Sequence, residues 1–215
     1  MKFCNESAVA FNWEAENIPA IIEAWYPGQA GGTAIADVIF GDYNPGGRLP
    51  VTFYKSIDQI PAFDDYDMKG KTYRYFEGVP LYEFGYGLSY TTFEYKAENM
   101  PDAIKAGSAA EVSVTVSNTG KYDGDEVVQL YVSLPADKYR VPVRSLQGFK
   151  RIRLKAGESQ KVSFSLKPEQ MQTLDENNKP VIPEGDMLIS VGGKQPDAKV
   201  IASRNVVQAK VKIGK

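Results

Sequence analysis

Between Val112 and Ser117 the chain alternates strictly, with Val112, Val114 and Val116 interleaved with Ser113, Thr115 and Ser117. A two-residue period sends successive side chains to opposite sides of an extended backbone. This stretch is therefore a strand with one dry face. Similar runs recur through the second half of the chain. Phe93 to Ala97, Glu126 to Ser133 (EVVQLYVS), Gln147 to Leu154, Val162 to Leu166, Gly185 to Val191 and Val200 to Ile213 all read as strands. Turn signals such as Asn118-Thr119-Gly120 and Ala156-Gly157-Glu158 separate them. About seven short strands with frequent turns predict an all-β sandwich of the immunoglobulin type over residues 93–215.

The first half has a different texture. Trp25 to Phe53 reads WYPGQAGGTAIADVIFGDYNPGGRLPVTF. Trp25-Tyr26-Pro27-Gly28 is an aromatic turn, with Trp25 and Tyr26 expected in the core beneath it. Thr33 suits an N-cap, and Ile35, Val38 and Ile39 share one face of the helix that follows. Gly41 stands where a helix end favours a left-handed residue. Asn44 to Gly47 turns the chain into Arg48–Phe53, read as a strand entered at Pro50. Upstream, Ser7 to Phe11 reads as a strand or its edge, and Ile18 to Ala24 as a short helix or turn with Pro19 near its start. A strand–helix–strand piece of this length cannot cover both faces of a parallel sheet. Residues 1–55 are thus a partial α/β segment. Residues 56–92 show little periodicity and many aromatics, and form a long linker.

These residues carry a resemblance. The run from Trp25 to Phe53 resembles the end of the α/β-sandwich domain of family 3 glycoside hydrolases, the β-glucosidases and β-xylosidases. TYRYFEGVPLYEFGYGLSYTTF resembles the linker of the same enzymes, with Glu83 where proline is common. VVQLYVS and VPVRSLQGFKRIRLKAGES resemble the fibronectin type III-like domain that ends many of them. The implied organisation is an α/β-sandwich end (1–55), an aromatic linker (56–92) and a fibronectin type III-like β-sandwich (93–215), mainly β overall. The implied function is the C-terminal portion of a retaining β-glycosidase. Its nucleophile would be an aspartate of a barrel domain, and its acid/base would lie upstream, so no catalytic residue carries over to this chain. The implied partners are a β-linked oligosaccharide or glycoside and the barrel and remaining sandwich of the same enzyme. The implied location is the periplasm or the cell exterior.

Composition excludes other chemistries. The chain has no histidine and one cysteine, Cys4. No Ser-His-Asp triad, Cys-His pair, histidine metal site or intrachain disulfide can be built from it. A net charge of -2 gives no footprint for nucleic acid. No apolar run approaches the roughly 20 residues that span a bilayer, so no membrane partner is implied. Met1 to Asn5 is not followed by the apolar stretch of a secretory signal. No cofactor motif is present, and GDYNPGGR lacks the ending of a phosphate loop.

Glycoside hydrolysis requires two carboxyl groups, about 5–5.5 Å apart for retention. Glu14 with Glu16, and Asp64, Asp65 and Asp67, are the clusters available, and both read as solvated loop charges. Asp123-Gly124-Asp125-Glu126 reads as a turn entering a strand, and Arg48 as the ion partner of Asp42. Tyr73, Arg74 and Phe76, with Tyr75 among them, are the substrate-binding candidates. Aromatic faces stack on sugar rings, and the arginine fork meets hydroxyl oxygens. The rival reading of the same residues is glue between linker and domains. A carbohydrate-binding or adhesion module without catalysis is the alternative to a glycosidase portion.

Overall fold

The computed structural model describes residues 8–214, together with the backbone of Lys2–Cys4. β1 (Lys2–Cys4) runs parallel to β2 (Ile21–Glu23), with α1 (Asn12–Asn17) between them and α2 (Gly31–Phe40) after. The helix expected at 18–24 is a strand instead. β-Branched Ile21 and Ile22 pair as an extended segment against β1, and the helical turn falls earlier, on Asn12–Asn17. Of the strand expected at 7–11, Ser7 lies outside the described residues and Ala8–Phe11 form no strand. α2 begins at Gly31, two residues before Thr33, and ends at Gly41 with φ 85°. Arg48–Phe53 forms no ladder beyond a single bridge from Phe53 to Tyr82. Phe11 and Phe53 are the buried pair of this half, with Ile21, Trp25, Leu49 and Tyr82 packed around them. Trp25 meets the Phe53 ring edge-on at 6.1 Å and is held at φ 51° by its N–H donating to Glu23 Oε1. Tyr26 is 80% exposed, so only one of the two aromatics joins the core. All three residues of β2 are only half-buried.

The linker contains a 3-10 turn at Ile57–Gln59 and one helical turn, α3 (Thr72–Tyr75). Its loop is tied to the sandwich by Arg140, whose guanidinium donates to Asp67 Oδ1. That bond, with the Lys69 N–H, holds the Asp67 carboxyl below its ordinary value. A lowered folded value contributes stability above the unfolded carboxylate range, and that stability is lost as pH falls through the folded value. Asp67→Asn is therefore expected to lower Tm slightly at pH 7 and low salt. The difference should vanish at acid pH and in molar salt, where exposed pairs are screened. A Tm gap that persists at high salt would refute the ion-pair account.

The second half is a two-sheet sandwich. β3 (Phe93–Asn99), β4 (Ala103–Lys105), β5 (Ala110–Asn118), β6 (Gly124–Ser133), β7 (Ser145–Leu154) and β8 (Ser159–Leu166) come first. A small hairpin, β9 (Thr173–Leu174) and β10 (Pro180–Val181), precedes β11 (Gly185–Gly192), α4 (Ala198–Ala202) and β12 (Val206–Gly214). The sheets are ordered β4-β12-β11-β6-β7 and β3-β5-β8. Val112, Val114 and Val116 are fully buried in the same core as Val128, Leu130, Ile189 and Val191. The strand expected from Val200 starts only at Val206. Asp197 accepts the N–H groups of Lys199 and Val200, and this cap starts α4 in its place.

β6 is buried at seven of its ten positions, with only Asp125, Val127 and Ser133 half-covered among Gly124–Ser133, and both faces are involved. One face lies in the sandwich core. The other is covered by chain from the first half. Gly85 lies close against Gln129, and a Cβ at Gly85 would fall 2.3 Å from Gln129 Oε1. Gly85 also has φ 80°, so glycine is required there twice over.

Candidate functional site

The linker meets the sandwich along a seam of polar and aromatic contacts. Gln129 Nε2 donates to the carbonyls of Gly85 (3.1 Å) and Gly193 (2.9 Å), and Tyr131 Oη donates to Gln129 Oε1 (2.6 Å). Gln195, also buried, donates to the Phe84 carbonyl at 2.7 Å and accepts from Arg144 at 2.5 Å. Beside them Glu83 is half-buried. Burial pushes its carboxyl up, as does the Asp197 charge, while Arg144 and Lys194 pull it back.

Tyr73, Arg74 and Phe76 sit on and beside α3 but face different ways. The Tyr73 ring stacks on Phe84 at 4.1 Å and 13°, and meets Tyr131 edge-on at 6.3 Å. Its hydroxyl accepts the Leu146 N–H at 3.2 Å. Phe76 packs edge-on against Tyr54 at 5.0 Å. Arg74 is exposed, its guanidinium 5.7 Å from the Tyr75 ring centroid, while its carbonyl accepts the Val143 N–H. The three residues therefore do not converge on one ring-sized surface. Two are packed, and one presents its fork to solvent. α3 starts on Thr72 at φ 56°, a left-handed value that a β-branched residue adopts only under strain.

The second polar centre lies at the end of the sandwich. Arg48 reaches from the loop after α2 to Glu126, with Nη2 to Oε2 at 2.5 Å, and the two side chains are 9% and 1% exposed. Tyr95 Oη donates to Glu126 Oε1 at 2.7 Å. Burial raises the Glu126 carboxyl above its ordinary value, against the pull of Arg48 and Tyr95. Burial first, and then the Glu126 charge, push the Tyr95 hydroxyl well up. Arg48 was expected to pair with Asp42; its partner is Glu126, 78 residues away. The sequence places Glu126 where a turn enters a strand but gives no hint of its partner, because an acidic residue between Asp125 and Val127 carries no local sign of burial. Glu126 cannot pair with a second carboxyl for acid–base chemistry, since both its oxygens are committed to Arg48 and Tyr95. Among the described residues, no three His, Cys, Asp or Glu side chains gather as a metal-binding set.

Comparison with known proteins accounts for this two-part architecture. The glycosyl hydrolase family 3 C-terminal domain matches residues 3–90, and the fibronectin type III-like domain matches residues 126–195. The chain belongs to glycosyl hydrolase family 3. A xylan 1,4-beta-xylosidase of Xylanibacter ruminicola is 49% identical over 80% of this chain, and a periplasmic beta-glucosidase of Salmonella typhimurium is 37% identical over 87%. The chain spans 20% and 26% of the lengths of those relatives. The crystal structure of a family 3 beta-glucosidase from Bifidobacterium adolescentis superposes with a TM-score of 0.83 at 32% identity, covering 99% of this chain and 32% of the other. The family's C-terminal domain match crosses the whole linker up to Tyr90, so the packed seam of Tyr73, Phe84 and Gly85 belongs to that matched segment.

Proposed function

We propose that this chain acts as the C-terminal portion of a retaining β-glycosidase, a β-glucosidase or β-xylosidase that hydrolyses O-glycosyl bonds. The observation that carries the reading is the paired family match, with relatives named as β-xylosidases and β-glucosidases several times longer than this chain. Three working parts divide the labour. Residues 1–55 complete an α/β sandwich, 56–92 form the aromatic linker, and 93–215 form the fibronectin type III-like buttress. The nucleophile and acid/base lie on protein outside these residues. Support for that comes from the carboxylates here, whose one deeply buried member among the described residues, Glu126, is neutralised by Arg48.

At the substrate side, Arg74 extends its fork toward sugar hydroxyls while Tyr73 and Phe76 hold the wall that carries it. The exposed guanidinium on a strained single turn supports this assignment. The enzyme works in the periplasm or outside the cell, in line with the periplasmic relative. Among the described residues no helix is long and apolar enough to cross a membrane.

The test is hydrolysis of p-nitrophenyl β-xyloside and β-glucoside. The 215-residue chain alone is expected to show no turnover above buffer, and co-expression with a family 3 barrel-bearing portion is expected to restore it. Turnover by the chain alone, lost on replacing one of its own carboxylates, would overturn the reading.

A further inference from the structure

A groove of about 590 Å³ opens where α2 ends against the turn between β5 and β6. That volume lies within the range of small-molecule sites. One wall lies within the family's C-terminal domain match, and the other is sandwich chain of which Arg153 lies within the fibronectin-like match. Phe40 to Asn44 and Tyr90 stand on one side, and Tyr122 to Asp125 with Arg153 on the other. Four aromatic rings border it, and all are open to solvent: Phe40 at 82%, Tyr122 at 62%, Tyr90 at 48% and Tyr43 at 40%. Isolated exposed aromatics are ordinary, but four around one groove form a patch.

The frame of the groove is fixed. Asn44 Nδ2 donates to the Asp123 carbonyl, and its Oδ1 accepts from Ser89 Oγ and the Tyr90 N–H, each at 2.9 Å. Tyr90 Oη donates to the Val38 carbonyl at 2.6 Å. Arg151 binds Asp125 and the Tyr43 hydroxyl. Three polar groups remain uncommitted. The Asp42 carboxylate, the Tyr122 hydroxyl and the Arg153 guanidinium make no hydrogen bond or ion pair among the described residues.

We propose that this groove is an accessory binding site for a neutral pyranose unit of a β-linked oligosaccharide. The lining matches that chemistry on two counts. Exposed ring faces accept the apolar C–H face of a sugar, while a carboxylate and a guanidinium meet hydroxyls as acceptor and donor. An anion fits badly. Three aspartates line the groove against one arginine, and the adjacent Arg151 is already paired with Asp125. A purely apolar ligand would leave Asp42 and Arg153 desolvated without partners. The site lies apart from Arg74 and needs no hydrolytic machinery. It stands or falls independently of the proposed glycosidase role.

The experiment is titration of the isotope-labelled 215-residue chain with xylotetraose and with cellotetraose, followed by amide NMR. Saturable shifts are expected in the backbone of residues 40–44 and 122–125. Tyr122→Ala and Phe40→Ala should each weaken binding at least about tenfold, equivalent to roughly 1.4 kcal/mol, without lowering Tm. No saturable shift, or shifts confined elsewhere, would overturn the proposal. So would shifts in the groove that follow protein concentration and not sugar, since these would make it a self-association face. If a variant unfolds, the wild-type shift map alone decides.

Discussion

Glu126→Ala is expected to destabilise the chain by about 3–5 kcal/mol, the usual cost of leaving one partner of a buried ion pair uncompensated. The change strands the Arg48 guanidinium, whose Nε already lacks a hydrogen-bond partner in its buried setting. It also removes the acceptor for Tyr95 Oη. The pair itself is not a large net stabiliser, because burial works against the Glu126 carboxylate. The double variant Arg48→Met/Glu126→Leu should therefore recover most of the loss. Glu126→Gln carries a separate signature. A carboxyl whose folded value lies above its unfolded value binds its proton more tightly in the folded state. Stability then falls as pH rises between the two values, and the glutamine variant should lack that slope. Urea unfolding of the four proteins at pH 5 and pH 7 measures all of this. A Glu126→Ala cost below about 1 kcal/mol, the range of exposed pairs, would refute the seam as drawn. Because Arg48 lies within the family's C-terminal domain match and Glu126 within the fibronectin-like match, the same titration reports whether the two parts unfold together.

Tyr73→Ala should lower stability by about 2–3 kcal/mol, somewhat less than a fully buried aromatic because the residue is half-exposed. The ring loses its stack on Phe84 and its edge contact with Tyr131. Tyr73→Phe keeps both contacts and gives up only the hydroxyl that accepts the Leu146 N–H, a loss of about 1 kcal/mol. Arg74→Ala should leave Tm unchanged. In an enzyme completed by co-expression with a family 3 catalytic portion it should raise KM with little change in kcat, as removal of uniform substrate binding does. The opposite pattern, with a stable Tyr73→Ala variant of raised KM, would make Tyr73 a sugar platform and not part of the seam.

Local sequence was a sound guide wherever structure follows from short-range chemistry. The alternation at 112–117, the Gly41 helix stop and the sandwich strands other than the late-starting last one appear where periodicity and turn residues put them. It failed where a long-range partner overrode local preference. Ile18–Ala24 has a helical start at Pro19, yet Ile21 and Ile22 are drawn into pairing with a strand some twenty residues earlier. Arg48–Phe53 has strand-like residues, but it meets residues 81–86 through the backbone of Leu49 and Phe53 alone, so no regular ladder forms.

The functional features divide in the same way. Tyr73, Arg74 and Phe76 were visible as an aromatic–basic cluster, but side-chain direction separates them, and direction depends on what packs behind each residue. Asp42 and Asp125 were visible as charges, while the groove between them exists only because α2 and the β5–β6 turn meet. By itself the amino-acid order determined a β-sandwich half, an α/β piece and a chain without histidine chemistry, since period, turn type and residue inventory are local properties. Only the tertiary structure decided that Glu126 belongs to Arg48, that Gln129 is roofed by Gly85, and that β6 is covered on both faces. Those outcomes depend on contacts between residues far apart in the chain, and no spacing rule encodes them.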